Sequence, residues 1–149
     1  MSAVRRAAAA QKILSIRELQ TFEAKAALAA ALKREASCEA ELDTAAQGLA
    51  SEREAWQSYL LAGKPAPAIL RAFGAGIARL AQAHAQTRAS LAAAATGRSL
   101  CEAGVRTAVM REDLARRTAQ KHVAKCAHLA EARREDRAEE QTTYAWSRP

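Results

Sequence analysis

One short interruption divides this chain into two long stretches that favour helix. Residues 63–67 read Gly-Lys-Pro-Ala-Pro. Proline has no amide proton to give to a helix and biases the residue before it away from helical angles, so Pro65 and Pro67 end one helix and start another. A chain of this kind has few folds open to it, and the simplest is two long helices joined by a sharp turn.

The composition favours thin contacts between helices over a thick core. Of the 149 residues, 50% are hydrophobic and only 4% are aromatic, and alanine makes up more than half of the hydrophobic set. Alanine is the strongest helix former, but its side chain buries little area. We therefore expect long helices at close approach, without a globular interior.

A heptad pattern runs along both halves and predicts which side of each helix packs. The first stripe contains Leu14, Thr21, Leu28, Glu35, Leu42, Leu49 and Trp56, with Ala24, Ala31, Cys38, Ala45 and Tyr59 three residues after its members. The second contains Phe73, Leu80, Thr87, Ala94, Cys101, Ala108, Ala115, His122 and Leu129, with Ile77, His84, Leu91, Val105, Ala119 and Cys126 four residues after its members. Glu35, Arg98 and Glu112 are polar intrusions. Stripes of this period are typical of coiled coils.

The predicted fold is all-α, a long antiparallel two-helix coiled-coil hairpin. We expect a first helix over 3–62, a turn over 63–67, a second helix over 68–130 and a polar tail over 131–149 that is unpaired or frayed. Glycine costs about 1 kcal/mol relative to alanine inside a helix, so the second helix has a weak point at Gly97. A break there would give an elongated three-helix bundle, which is the alternative fold.

Positive charge is concentrated near the two chain ends that the turn brings together. The net charge is +7, and the first 62 residues contain eight basic and eight acidic side chains, so the excess arises after them. The predicted basic cluster contains Arg5, Arg6, Lys12, Arg17, Arg111, Arg116, Arg117, Lys121 and Lys125. Such a cluster attracts an acidic partner, with an affinity that falls as salt rises. The competing interpretation is a set of solvated helix faces with acidic neighbours such as Glu18 and Asp113.

Other partner classes find less support in the sequence. No aromatic residues are interleaved with the basic ones, and neither zinc-finger spacing nor a basic zipper region is present, so we expect no nucleic-acid partner. No segment approaches the roughly twenty apolar residues of a membrane span. The apolar residues of 3–22 could lie on an anionic membrane, but they suit a coiled coil equally well. The start lacks the apolar run of an export signal, and three cysteines without a CxxC motif fit a reducing compartment, so we expect a cytoplasmic protein.

Catalysis is not expected from this sequence. His122 and Cys126 lie four residues apart on one helix face, but His128 is about 160° away around the helix, which leaves two ligands for a metal. The glycines at 74 and 76 follow no strand, as a phosphate-binding loop would, and we expect them to permit close helix contact. We predict no catalytic residues, no cofactor and no metal.

The residues after the turn resemble a known family. The pattern Phe73-x3-Ile77-x2-Leu80-x3-His84 is similar to the start of the second helix in the FliJ/YscO stalk proteins of type III secretion. Leu49 and Trp56 are placed like an aliphatic and an aromatic residue of that family's first helix. Leu80 departs from the family's alanine, Glu52 stands where a tyrosine is expected, and the turn is several residues shorter.

The resemblance implies a mechanical function. In that family the end carrying both termini enters a hexameric secretion ATPase and stimulates it, while the patch formed here by Leu49, Trp56, Phe73, Ile77, Leu80 and His84 would bind the cytoplasmic domain of the export gate. The basic cluster would then meet the ATPase. The implied location is the cytoplasmic side of the inner-membrane base of the apparatus, and secretion chaperones are further implied partners.

Three other interpretations remain at this point. A scaffold coiled coil would self-associate and need neither ATPase nor gate. A secretion chaperone or secreted effector can also be small, helical and rich in alanine. A basic helical protein that binds nucleic acid is the third.

Overall fold

The computed structural model describes residues 2–146, which form two α-helices. Helix α1 spans Ala3–Leu61 and helix α2 spans Pro67–Trp146. The two helices pack against each other as a hairpin, and no strand occurs among the described residues. The predicted fold class is confirmed.

Helix α1 ends at a glycine that reverses the chain. The amide of Ala62 donates to the carbonyls of Ser58 and Tyr59, at 3.2 and 3.3 Å. Gly63 follows with φ of 94°, a left-handed conformation that side chains with a Cβ rarely adopt. Glycine in this conformation just after the last turn is a common helix terminator, because it closes the chain onto the free carbonyls.

Helix α2 begins on the second proline. Pro67 is its first residue, where its missing amide proton is not needed. The carbonyl of Ala66 accepts hydrogen bonds from the amides of Ile69 and Leu70, both at 3.1 Å. The amide of Ala66 itself donates to the hydroxyl of Tyr59 at 2.9 Å. The connection therefore covers 62–66, one residue earlier than predicted at each end.

Burial follows the predicted heptads along both helices. Every stripe residue named in the sequence analysis is buried or half-buried, apart from Leu129, which is 41% exposed. Few of them are fully covered, since each helix has one partner. The buried apolar residues are mostly alanines: Ala10, Leu49, Ala94, Ala115 and Ala119.

The polar intrusions in the stripes are neutralised by charged partners. Nε of Arg98 on α2 lies 2.6 Å from a carboxylate oxygen of Glu35 on α1, and its Nη1 lies 2.5 Å from Glu102 one turn along. The hydrogen bond to Glu102, and the negative charge of both carboxylates, raise the pKa of the Arg98 guanidinium above its ordinary value. Glu112, the third intrusion, pairs with Arg116 in the same helix.

Helix α2 continues through Gly97 without a break, so the alternative three-helix bundle is wrong. A Cβ built on Gly97 would meet nothing within 4 Å, and the hydroxyl of the preceding Thr96 donates to the carbonyl of Ala92 at 3.0 Å. The heptad spacing carries the packing side of α2 past this point unchanged, and this outweighs the low helix propensity of one glycine.

Helix α2 also extends beyond residue 130, its predicted end, as far as Trp146. Residues 127–146 are exposed on all sides. This segment is rich in alanine, glutamate and arginine, which favour helix without packing. The hydroxyls of Thr142 and Thr143 donate to backbone carbonyls one turn earlier, those of Ala138 and Glu139. Residues 147–149, the rest of the predicted tail, lie outside the described residues.

Two units can be distinguished along the chain. Unit 1 combines residues 2–24 with 104–146, and unit 2 comprises Lys25–Ala103. Unit 2 contains the turn, and unit 1 contains both described chain ends.

Candidate functional site

The six residues predicted to bind an export gate all belong to unit 2 and all lie on the packing side of their helices. Leu49 is 8% exposed, and the other five are half-buried: Trp56, Phe73, Ile77, Leu80 and His84. A second helix covers only one side of such residues, so part of each remains open to solvent. We name these six residues the turn-proximal patch. It is part of the interhelical contact, with a remaining surface that another protein can reach.

Aromatic rings organise the patch near the turn. The rings of Tyr59 and Phe73 lie 5.7 Å apart between centroids and are tilted by 38°. This arrangement is favourable for two aromatic quadrupoles. Because the Tyr59 hydroxyl also accepts the amide hydrogen of Ala66, the ring is held at both ends. This pair fixes the start of α2 against the end of α1.

The indole of Trp56 has a polar atom without a partner. Its Nε1 is buried and makes no hydrogen bond among the described residues. A buried donor left unsatisfied costs about 1 to 3 kcal/mol, so such groups in a protein call for an explanation.

Three apolar residues beside the patch were missed in the sequence analysis. Leu61 is 87% exposed, and Leu60 and Ile69 are each 44% exposed. None of the three belongs to a heptad stripe. Large apolar residues outside the stripes and next to the turn could have been recognised in the sequence as exposed. Together they extend the apolar surface of the patch into solvent.

The nine predicted basic residues all belong to unit 1, where some line a groove between its two helical segments. The groove has a volume of about 350 Å³. Its cationic lining comes from Arg6, Arg17 and Arg111, and its other lining residues are Ala9, Ala10, Ile13, Leu114, Ala115, Thr118 and His122. A second concavity of about 240 Å³ shares Arg6 and His122 with it and adds Ala3, Lys125 and Leu129. We name the joined concavities the basic groove.

The remaining basic residues differ in whether nearby carboxylates compensate their charge. Arg116 is held by three carboxylates, Glu112 at 2.5 Å, Glu18 at 3.7 Å and Asp113 at 3.8 Å. Its charge is therefore largely compensated locally. In contrast, Arg5, Lys12, Arg117 and Lys121 are exposed and form no ion pair within residues 2–146. The competing sequence interpretation, a solvated face with acidic neighbours, describes Arg116 well and these four poorly.

Apolar side chains surround the basic groove on its outer side. Ile13 is 52% exposed and Leu114 is 68% exposed, and both line the groove. Further along α1, Ile16, Leu19 and Phe22 are exposed by 55%, 57% and 70%. A surface that joins exposed aliphatic side chains to arginines suits the acidic, amphipathic face of a partner helix.

The described part of the chain contains no cluster of residues that could bind a metal ion. His122 and Cys126 are half-buried on the packing side of α2, and His128 is exposed near Glu131. No group of three or more histidine, cysteine, aspartate or glutamate side chains within residues 2–146 is arranged to hold a metal ion. Cys38, Cys101 and Cys126 are free thiols. Within the same residues, neither helix has a stretch apolar enough to cross a membrane.

Comparison of the sequence with models of protein families finds no match, and comparison with curated proteins finds no significant match.

Proposed function

We propose that this chain is a non-enzymatic stalk protein of a type III secretion apparatus, which stimulates the hexameric secretion ATPase and contacts the export gate. The observation that carries the proposal is the hairpin of two uninterrupted helices, Ala3–Leu61 and Pro67–Trp146, with one heptad pattern along each. This layout is what the resemblance to the FliJ/YscO family implies. Two continuous helices that pack along their heptads are suited to passing on a movement or a force.

The basic groove supports an ATPase contact. Its apolar lining offers area to bury, and its arginines select an acidic neighbour and steer its approach. The exposed cations of the same unit, including Arg5 and Lys12, add to the positive electrostatic potential that attracts an acidic partner. Such an interface loses affinity as the salt concentration increases.

The turn-proximal patch supports a gate contact. It combines half-buried aromatic and aliphatic side chains with the exposed Leu61 and with an indole N–H that has no acceptor. Interfaces of this type are anchored by aromatic residues whose polar atoms find a partner in the complex. The location proposed for the complex is the cytoplasmic base of the apparatus, with secretion chaperones as further partners.

The decisive experiment measures ATP hydrolysis by a cognate secretion ATPase with and without the purified protein. We expect stimulation by the wild-type chain and a large loss with the double variant Arg17→Glu/Arg111→Glu, which reverses two charges of the basic groove. The matched control is Arg79→Glu/Arg88→Glu, which reverses two exposed arginines of unit 2. Circular dichroism of all variants verifies that the helices are retained.

Two outcomes would count against this function. Unchanged hydrolysis with wild-type protein over a range of salt concentrations would refute the ATPase role. Equal loss in both double variants would show that total charge, and not the basic groove, governs the effect. Arg116→Glu alone is a weaker test, because the three carboxylates around Arg116 would themselves be disturbed.

A further inference from the structure

One exposed face of α2 carries a block of three basic residues and a block of three acidic ones, and a further acidic residue, Asp113, lies before the basic block. Arg117, Lys121 and Lys125 are spaced by four residues, and so are Glu131, Glu135 and Glu139. At about 100° per residue, these six side chains fall within roughly one third of the helix circumference. Met110 and Trp146 lie in the same sector, and they are 71% and 87% exposed. All of these residues belong to unit 1.

The two blocks mirror each other about His128. Lys125 and Glu131 lie three residues before and after it, Lys121 and Glu135 seven residues, and Arg117 and Glu139 eleven residues. Met110 and Trp146 lie eighteen residues before and after the same position. Each of these three basic residues thus has an acidic counterpart at the same distance, and the apolar pair lies outside them on both sides, while Asp113 has the uncharged Thr143 at its matching position.

Within a single chain this arrangement is unfavourable. Like charges four residues apart on a helix repel each other. Within residues 2–146, none of these six side chains pairs with a lysine, an arginine or another carboxylate, and a carboxylate oxygen of Glu131 lies 3.8 Å from Nδ1 of His128. Opposite charges on another molecule would offset this repulsion.

We infer that this face binds a second copy of the chain, with the two α2 helices antiparallel and the two-fold axis at His128. In that arrangement Arg117, Lys121 and Lys125 of one copy lie opposite Glu139, Glu135 and Glu131 of the other. Met110 lies opposite Trp146 of the second copy. A closed two-fold contact requires a surface that is complementary to itself, and mirrored opposite charges satisfy that requirement.

The length of the face matches the contact. From Met110 to Trp146 the helix rises about 54 Å, of which the half beyond His128 spans about 27 Å. The second copy uses the same half, residues 128–146, to cover the basic half of the first. Each of the three ion pairs then occurs twice, as does the contact between methionine and tryptophan. A heterologous acidic helix has no reason to match this mirror spacing.

A charge-swap experiment tests the pairing. The basic-block variant carries Arg117→Glu, Lys121→Glu and Lys125→Glu, and the acidic-block variant carries Glu131→Lys, Glu135→Lys and Glu139→Lys. Sedimentation equilibrium of the wild type should give twice the chain mass of 16.0 kDa, with dissociation as salt rises. Each variant alone should dissociate with a Kd about 100-fold higher, because every pair becomes repulsive. An equimolar mixture of the two variants should recover the wild-type Kd.

A cross-linking experiment tests the register. In a background whose three cysteines are replaced by alanine, His128→Cys should oxidise to a disulfide-linked dimer, because the two copies of residue 128 face each other across the axis. Ala124→Cys is the matched control, exposed one turn away. Its two copies would lie about 12 Å apart along the helices, which is too far for a disulfide.

Four outcomes would overturn the inference. A wild-type chain that stays monomeric at low salt would leave the face to an acidic helix of another protein. Variants that remain dimeric separately, or a mixture that stays monomeric, would refute the charge pairing. Equal cross-linking at positions 124 and 128 would refute the axis. Lys125 belongs both to this face and to the basic groove, but none of these measurements includes an ATPase or a gate, so a failure of the dimer is distinguishable from a failure of the proposed stalk function.

Discussion

Replacing Gly97 by alanine should stabilise this protein, although the sequence makes Gly97 the weakest point of α2. The glycine lies inside a continuous helix, its backbone has no positive φ, and an added Cβ would meet nothing within 4 Å. Alanine in a helix interior is favoured over glycine by about 1 kcal/mol, because it restricts the unfolded chain.

The surroundings of Gly97 add little to that figure. The groove beside it, of about 460 Å³, is lined by four alanines together with Arg34 and Cys101. A methyl group there gains only part of the roughly 0.8 kcal/mol that full burial of a carbon would give, since the groove is open. We therefore expect a gain in the free energy of unfolding of about 1 kcal/mol, and a rise in Tm of about 3 °C for a chain of this size.

Thermal and urea unfolding followed by far-UV circular dichroism would measure the gain. Gly63→Ala is the matched control, because φ at Gly63 is 94° and a Cβ there is strained even though space is free. It should lower stability by about 1 kcal/mol. A loss of stability in Gly97→Ala would refute the reasoning, since it would mean that α2 bends at Gly97 or that another segment approaches it closely.

Two further predictions concern contacts between α1 and α2 in unit 2. Arg98→Glu should lower the Tm, because it places a third carboxylate beside Glu35 and Glu102. Adding Glu35→Arg should restore most of the lost Tm. If thermal melts show no such rescue, Arg98 and Glu35 do not form a direct pair. Phe73→Ala should lower the free energy of unfolding by about 2 kcal/mol, less than for a fully buried ring because Phe73 is half-buried. In the same urea titration, Leu61→Ala should change it by less than about 0.5 kcal/mol, because that side chain is 87% exposed; equal effects would contradict the packing described for the turn.

The packing side of both helices could be predicted from the sequence for a simple physical reason. A period of 3.5 residues keeps one side of each helix against its partner, and counting by heptads from Leu14 and Phe73 follows that side. The two prolines of the turn indicated where the first helix ends and the second begins. The one exposed member of the stripes, Leu129, lies beside Ala3, where α1 begins and covers little of it.

The ion pairs that form, and the helix beyond the packed region, could not be predicted from the spacing of residues in the sequence. Arg98 and Arg116 each have several carboxylates within reach, and only the folded geometry shows that Arg116 is compensated while Arg117 is not. The helix over residues 131–146 was harder still to predict, since a segment that is polar on every side has no apolar period. Its helicity follows from the intrinsic propensity of its residues.

The two tryptophans of the chain are distributed so that each unit has one. Trp56 sits half-buried in unit 2, while Trp146 is exposed at the end of unit 1. In variants that keep a single tryptophan, intrinsic fluorescence can therefore follow one unit at a time without an added label: emission from Trp56 reports on the turn, and quenching or a spectral shift of Trp146 reports on events at the end of α2. Replacing either indole by phenylalanine leaves the other as the only tryptophan of the chain, so that its emission can be assigned to one unit.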